Sequence, residues 1–283
     1  MPPKAKAKNR VNKKARKTTK RKAKKPVKGI AAFVEASPLP WFDTENFDSL
    51  KAAKLLIGLL LLPVCWVSFE TFLVLFQTGA IDSNLWKQPE FVFFAIGLLF
   101  SIVLFFGVRS PAMMWLYVAG HELTHALFVL ICRGNVSKIH ISSKGGHILT
   151  NRNNFVISLS PYFFPFYTAC LIAIWSTLEW LFFDFTRQHT YWLYGLIGIT
   201  WMFHLAFTVW MVFREQPDVE QNGKIFSFSV VFLANMVLIS ALLIMASPTA
   251  TFRSYGKSFV ANTESFATRL WESVLELWSV LPV

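Results

Sequence analysis

Acidic side chains are absent from the first 28 residues of this chain, although those residues include 14 Lys or Arg. The whole sequence has 28 basic and 16 acidic side chains, so residues 29–283 carry 28 − 14 = 14 basic and 16 acidic groups, a net charge of −2. The tail therefore carries +14 and accounts for the net charge of +12 of the whole chain. A strongly charged tail with little apolar surface is predicted to be disordered.

Cysteine is also scarce, and the sequence contains no internal repeat. The three cysteines, Cys65, Cys132 and Cys170, all lie in apolar segments. Their small number and their surroundings exclude a disulfide framework and predict buried thiols.

Apolar residues are abundant, at 54% of the chain, and they form long runs typical of an integral membrane protein. We therefore predict an all-α polytopic membrane protein with about six transmembrane helices and a membrane domain over residues 53–246. The predicted segments cover about residues 53–76, 91–108, 112–132, 155–183, 191–213 and 225–246.

The segments outside these spans have patterns of their own. Residues 135–151 alternate between apolar and polar side chains around a Lys-Gly-Gly turn, which predicts a small β-hairpin after the third span. Residues 247–283 include apolar side chains near helical spacing and predict a C-terminal amphipathic helix at the membrane interface, although a helix packed against the bundle would give the same pattern.

The basic tail, residues 1–28, is followed by a linker over residues 29–52. We expect the tail to stay in the cytoplasm and fix the topology by the positive-inside rule. Its charge also suits contact with anionic lipid or nucleic acid. A cytoplasmic tail followed by three spans would place the hairpin outside. The basic residues of the hairpin favour the inside, so the sequence leaves the orientation open.

The third apolar segment contains the motif His121-Glu122-Leu123-Thr124-His125. Residues four apart lie on one face of a helix, so both imidazoles can bind one zinc ion. Glu122 lies beside them, where it can act as general base toward a water molecule that the metal activates. Ionisable groups are costly inside a membrane and usually mark a functional site. A metal-free alternative is a polar contact between helices, with protonated Glu122.

These residues resemble the site-2 protease family of intramembrane zinc metalloproteases. The stretch "GHELTHALFVL" is similar to the family's HExxH helix, with Thr124 in place of the usual glycine, and a hairpin and a proline-containing segment follow in the same order. The resemblance covers about residues 112–235. It implies Zn²⁺ as cofactor, a membrane protein as substrate, and a substrate-presenting hairpin, in which we single out Gly145 and Gly146.

The third metal ligand is less clear from the sequence. The resemblance implies an aspartate from an Asn-Pro-x-x-Asp-Gly-like motif, and Asp218, after Pro217, is the nearest match although the motif is incomplete. His204, inside the fifth apolar segment, is the alternative ligand, or a group that supports the site without binding the metal. Asn235 in the sixth segment is expected to form a hydrogen bond near the site.

We therefore expect a zinc metalloendopeptidase that cleaves a transmembrane or membrane-adjacent protein, in a bacterial inner membrane or an equivalent membrane. The alternative is a non-catalytic receptor or regulatory pseudoprotease that keeps the fold without the activity. The two expectations differ in whether the protein holds zinc and whether it hydrolyses a peptide bond.

Overall fold

The computed structural model describes residues 46–107, 110–182, 187–212, 214 and 216–280. The basic tail and most of the predicted linker lie outside the described residues. The described helices are α1 (Asn46–Phe76), α2 (Pro89–Gly107), α3 (Pro111–Ile131), α4 (Phe155–Leu159), α5 (Phe166–Phe182), α6 (Arg187–Val212), α7 (Pro217–Asn222), α8 (Lys224–Ala246) and α9 (Phe252–Val280). The strands β1 (Val136–Ser142) and β2 (Gly145–Thr150) follow α3.

Five of the described helices are long and apolar enough to cross a membrane, and the number is six if the bent pair formed by Phe155–Tyr162 and Phe166–Phe182 counts as one span. The described residues are predominantly helical and contain one small antiparallel sheet, in agreement with the predicted all-α polytopic fold. The observed helices also begin and end close to the predicted segments. The first is the exception, because α1 begins at Asn46, inside the predicted linker.

The fourth apolar segment is bent by 80° where the helix α4 passes through a short 3₁₀ turn at Ser160–Tyr162 before α5 begins. Pro161 and Pro165 lie at the bend, where the missing amide hydrogens interrupt a continuous helical ladder. The bend turns Tyr162 into the protein, where its side chain is fully buried. This segment therefore supplies side chains and backbone carbonyls to the interior.

Helices α2 and α6 cross in close contact through glycines. A Cβ atom at Gly97 would clash with the backbone at Gly195, and one at Gly198 would clash with the backbone at Phe94. Small residues let two helices in a membrane approach until their backbones touch, and van der Waals contacts then hold them together. This pair forms an apolar scaffold on one side of α3.

Helices α8 and α9 both pack against α1. Gly58 of α1 lies against the backbone of α8 at Phe226. Helix α9 is attached by an ion pair in which Nη2 of Arg269 donates to both carboxylate oxygens of Glu70, at 2.8 and 3.0 Å. Helix α9 also presents exposed apolar side chains, Trp271 and Trp278 among them. The C-terminal helix thus contacts the bundle over part of its length, and its position at a membrane interface stays a prediction.

The hairpin follows α3 directly because α3 ends in a tight turn. Arg133 adopts a left-handed backbone conformation with φ 59°, and the amide of Gly134 donates to the carbonyl of Val129 at 2.8 Å. The strands then pair in antiparallel register, with Ile141 opposite Gly146. Ile141 packs against a buried cluster on α3 and α6, so the hairpin is held against the middle of α3.

Candidate metal centre

The two histidines of the HExxH motif lie on one face of α3. The helix begins after Ser110, whose hydroxyl accepts from the amide of Met113, and Pro111 occupies the first turn. Four positions apart on the helix, His121 and His125 direct their Nε2 atoms at each other over 3.2 Å. The helical spacing alone therefore brings two metal-binding nitrogens together.

Hydrogen bonds on the opposite edge of each ring fix the two imidazoles. The Nδ1 atom of His125 lies 2.8 Å from the carbonyl oxygen of Ile157 in α4. A carbonyl only accepts, so Nδ1 of His125 donates, which leaves the Nε2 lone pair directed toward His121 when the ring is neutral. The hydroxyl of Tyr117, one turn earlier on α3, lies 3.3 Å from Nδ1 of His121.

The third group comes from α7, a short helix between α6 and α8. The Oδ2 atom of Asp218 lies 3.4 Å from Nε2 of His121 and 3.4 Å from Nε2 of His125. Burial alone raises the pKa of the Asp218 carboxyl, but the contacts with both histidines outweigh burial and hold that pKa well below its usual value. The carboxylate is therefore ionised at neutral pH, as a metal ligand must be.

The spacing of these three atoms fits a zinc ion. A tetrahedral zinc with bonds of about 2.0–2.1 Å separates its ligand atoms by about 3.3–3.4 Å. The sides of the triangle formed by His121, His125 and Asp218 measure 3.2, 3.4 and 3.4 Å. Three electron-rich atoms so close together repel one another unless a cation or a proton lies between them. Among the described residues, this is the group of three that could hold a metal ion.

Several contacts hold Asp218 in place. Its Oδ2 atom accepts from the hydroxyl of Tyr162 at 3.3 Å, and its backbone carbonyl accepts from Nδ2 of Asn222 at 2.9 Å. Asn222 in turn accepts from the ammonium group of Lys54 in α1, at 2.8 Å. Ser227 of α8 donates to the carbonyl of Val219 at 3.1 Å. The short helix that carries the carboxylate is thereby tied to α1, α8 and the bend after α4.

Glu122 lies between the two histidines in sequence and faces the hairpin. Its side chain is buried, with 6% exposure. The backbone of Gly146 approaches so closely that a Cβ atom there would lie 2.6 Å from Cγ of Glu122 and 2.8 Å from Cγ1 of Val118. A glycine at this position therefore leaves the space that Glu122 occupies.

A cavity of about 430 Å³ opens in front of these groups. Its walls come from α3, the hairpin, the chain around α4 and the start of α7. They include Glu122, Gly145, Gly146, Asn153, Ser158 and residues 216–218. The cavity is large enough for a short stretch of peptide and places it against both the hairpin and the cluster of His121, His125 and Asp218.

His204, the alternative ligand, lies outside this group of mutually close ligand atoms. Its Nε2 atom and the Oγ1 atom of Thr208, one turn later on α6, are buried without a hydrogen-bond partner among the described residues. Asn235 donates to the carbonyl of Tyr162 at 3.0 Å and so supports the residue that contacts Asp218. Of the two proposed third ligands, the structure brings only Asp218 to the histidines.

Two residues at the centre did not emerge from the sequence. Tyr117 precedes His121 by four residues, so helical spacing could have identified it as a neighbour on the same face. Tyr162 carried no such signal, because its contact with Asp218 depends on the bend after α4 and on a separation of 56 positions. Thr124, where the resemblance would place a glycine, donates to the carbonyl of Gly120 at 2.6 Å and is fully enclosed.

Comparisons of the chain with protein-family models, with curated proteins and with solved structures find no match. The resemblance to site-2 proteases therefore rests on the sequence motifs named above, and the interpretation of this centre rests on its own geometry and chemistry.

Proposed function

We propose that this chain is a membrane-embedded zinc metalloprotease of the site-2 protease type, which cleaves a transmembrane or membrane-adjacent protein. The observation that carries the proposal is the triangle of Nε2 of His121, Nε2 of His125 and Oδ2 of Asp218, with sides of 3.2–3.4 Å. The two histidines lie on α3, a helix apolar enough to span a membrane, and Asp218 reaches them from α7. Ionisable groups at that depth are costly unless they share a function or a charge partner.

His121, His125 and Asp218 would hold the zinc ion, and three protein ligands leave a fourth position open, as is usual for catalytic zinc. The chemistry that a zinc ion held there would supply is activation of a water molecule and polarisation of the carbonyl that this water attacks. Glu122, beside the two histidines, accepts the proton of the attacking water and later gives it to the leaving amine. Tyr117 and Ile157 keep the imidazoles oriented while Tyr162 keeps the carboxylate oriented.

The cavity in front of Glu122 supports a peptide as substrate. An intact helix hides its carbonyls in internal hydrogen bonds, so a transmembrane substrate has to unwind before a carbonyl can reach the site. The hairpin forms one wall of the cavity, with Gly145 and Gly146 at the surface that faces the site. An extended segment can pair with a free strand edge, which would hold it open next to Glu122.

The test is hydrolysis of a generic transmembrane substrate by the purified full-length protein in detergent. We expect Glu122→Gln to lower the rate by about 10²–10⁴-fold, the range for loss of a general base, while the zinc content is unchanged. Glu179→Gln, an exposed carboxylate on α5, is the matched control and should keep the wild-type rate.

A protein that holds zinc but leaves every membrane substrate intact would favour the alternative, a non-catalytic receptor or regulator. Hydrolysis that survives Glu122→Gln would exclude the proposed role of Glu122.

A further inference from the structure

A second pair of histidines lies on the hairpin, outside the cluster of His121, His125 and Asp218. His140 in β1 and His147 in β2 are directly opposite each other in the antiparallel register. Their ring centroids are 5.2 Å apart with an angle of 32° between the rings. The corresponding centroid distance for His121 and His125, whose Nε2 atoms meet at 3.2 Å, is 4.7 Å. The two pairs therefore have similar ring separations.

The hairpin pair faces away from α3. Side chains alternate between the two faces of a strand, and Ile141 with Gly146 forms the face that packs against α3. His140 and His147, one position away on each strand, therefore belong to the opposite face by this alternation. Both are exposed, and His147 is also among the residues that border the cavity in front of Glu122. Opposite residues on paired strands have Cβ atoms about 4.5–5.5 Å apart, which lets two imidazoles reach one ion.

We propose that His140 and His147 form a second metal site, which binds a divalent transition-metal ion such as Ni²⁺, Cu²⁺ or Zn²⁺. Neutral imidazole suits these ions, and water molecules can complete the coordination because both side chains are open to solvent. Two protein ligands bind less tightly than three, so this site is the weaker of the two. The cationic Lys138 lies on the same face two residues before His140 and lowers the affinity further.

An ion at this position links β1 to β2 next to the catalytic candidate. Gly146, whose backbone lies against Cγ of Glu122, is the immediate neighbour of His147 in β2. A ligand that bridges both strands stabilises their pairing by its binding free energy. Metal binding on the outer face of the hairpin is therefore expected to reduce opening of the strands beside Glu122.

The experiment is equilibrium dialysis of the full-length protein in detergent against Ni²⁺, with the bound metal counted per chain. We expect two equivalents for the wild type, one for the double substitution His140→Gln with His147→Gln, and one for His121→Gln with His125→Gln. Each hairpin single substitution should weaken the second equivalent by about tenfold or more. His189→Gln, an exposed histidine on α6, is the control and should keep both equivalents.

The variants separate this proposal from the proposed function. If the cluster of His121, His125 and Asp218 holds no metal, the wild type binds one equivalent of Ni²⁺. The hairpin double substitution then abolishes that binding. A second equivalent that persists without His140 and His147, or one that never binds, would overturn the proposal. Hydrogen exchange gives a second readout, because Ni²⁺ should slow exchange of the amides in β1 and β2 in the wild type and not in the hairpin double variant.

Discussion

Helices α2 and α3 have similar lengths, but α2, the more apolar of the two, is the less buried. Helix α2 has 19 residues, and 11% of its most apolar stretch is buried. Helix α3 has 21 residues and is less apolar, and half of its most apolar stretch is buried. In water the more apolar helix would be the more enclosed one. The reverse order is the arrangement expected in lipid, where apolar surface faces outward and polar groups need protein around them.

The two helices are also held by different forces. Helix α2 contacts α6 along a strip of glycines and leaves large side chains such as Val103 and Phe106 about two-thirds exposed. Helix α3 is enclosed by the hairpin, α4 and α6, and its histidines find polar partners in α4 and α7, at the carbonyl of Ile157 and the carboxylate of Asp218. The scaffold is therefore sensitive to side-chain size, and the metal centre to the identity of polar atoms.

The largest expected effect comes from Gly97→Leu in the α2–α6 contact. The added side chain would meet the backbone of α6 at Gly195, which has no room to move without separating the helices. We expect a loss of about 3 kcal/mol or more in the free energy of unfolding in detergent, at the upper end of the cost of overpacking. Gly107→Leu, on the same helix with open space around it, should change stability little. Equal losses in both variants would contradict the close glycine contact.

Gly146→Val tests the hairpin where it touches Glu122. The new side chain would overlap Cγ of Glu122 and the carbonyl of His140, so either the carboxylate or the strand has to shift. A displacement of about 1 Å at a reacting group lowers rates by about a hundredfold, and we expect a loss of that size in hydrolysis with zinc content retained. Gly256→Val in α9, where a Cβ meets nothing, is the control. Unchanged hydrolysis in Gly146→Val would exclude a positioning role for this contact.

Tyr162→Phe should have a smaller effect, confined to metal affinity. It removes the hydroxyl that donates to Oδ2 of Asp218 and keeps the buried ring. Loss of a hydrogen bond to a metal ligand typically weakens binding by about 10–100-fold, and we expect the lower end because the bond is long at 3.3 Å. Competition with a zinc chelator measures the change. Tyr167→Phe, which loses a bond to the carbonyl of Leu116 instead, should keep wild-type affinity.

Most of the helical architecture could be predicted from the sequence, because uninterrupted apolar runs and the Gly-Gly turn are local signals. The sequence predicts the third segment at about residues 112–132, and the observed helix α3 spans nearly the same residues, Pro111–Ile131. The two prolines in the fourth segment indicated an interruption. They did not give the 80° bend, because its size depends on how Leu159 and Tyr162 pack against Val219 and Phe226.

The metal centre likewise has features that the sequence predicts and features that it does not. The positions of His121 and His125 relative to each other follow from four-residue spacing on a helix. The choice between Asp218 and His204 does not, because it depends on the path of the chain through α7. Lys54 and Asn222, which support that path, are 168 positions apart and carried no signal in the sequence. Contacts of this kind arise only from tertiary packing.

The most direct test of the account is the zinc content of purified full-length protein, measured per chain for the wild type, Asp218→Asn and His204→Gln. We predict one tightly bound zinc in the wild type and in His204→Gln, and loss of tight binding in Asp218→Asn, because the Asp218 carboxylate lies 3.4 Å from both imidazoles. Tight zinc binding that survives Asp218→Asn and disappears in His204→Gln would contradict the account.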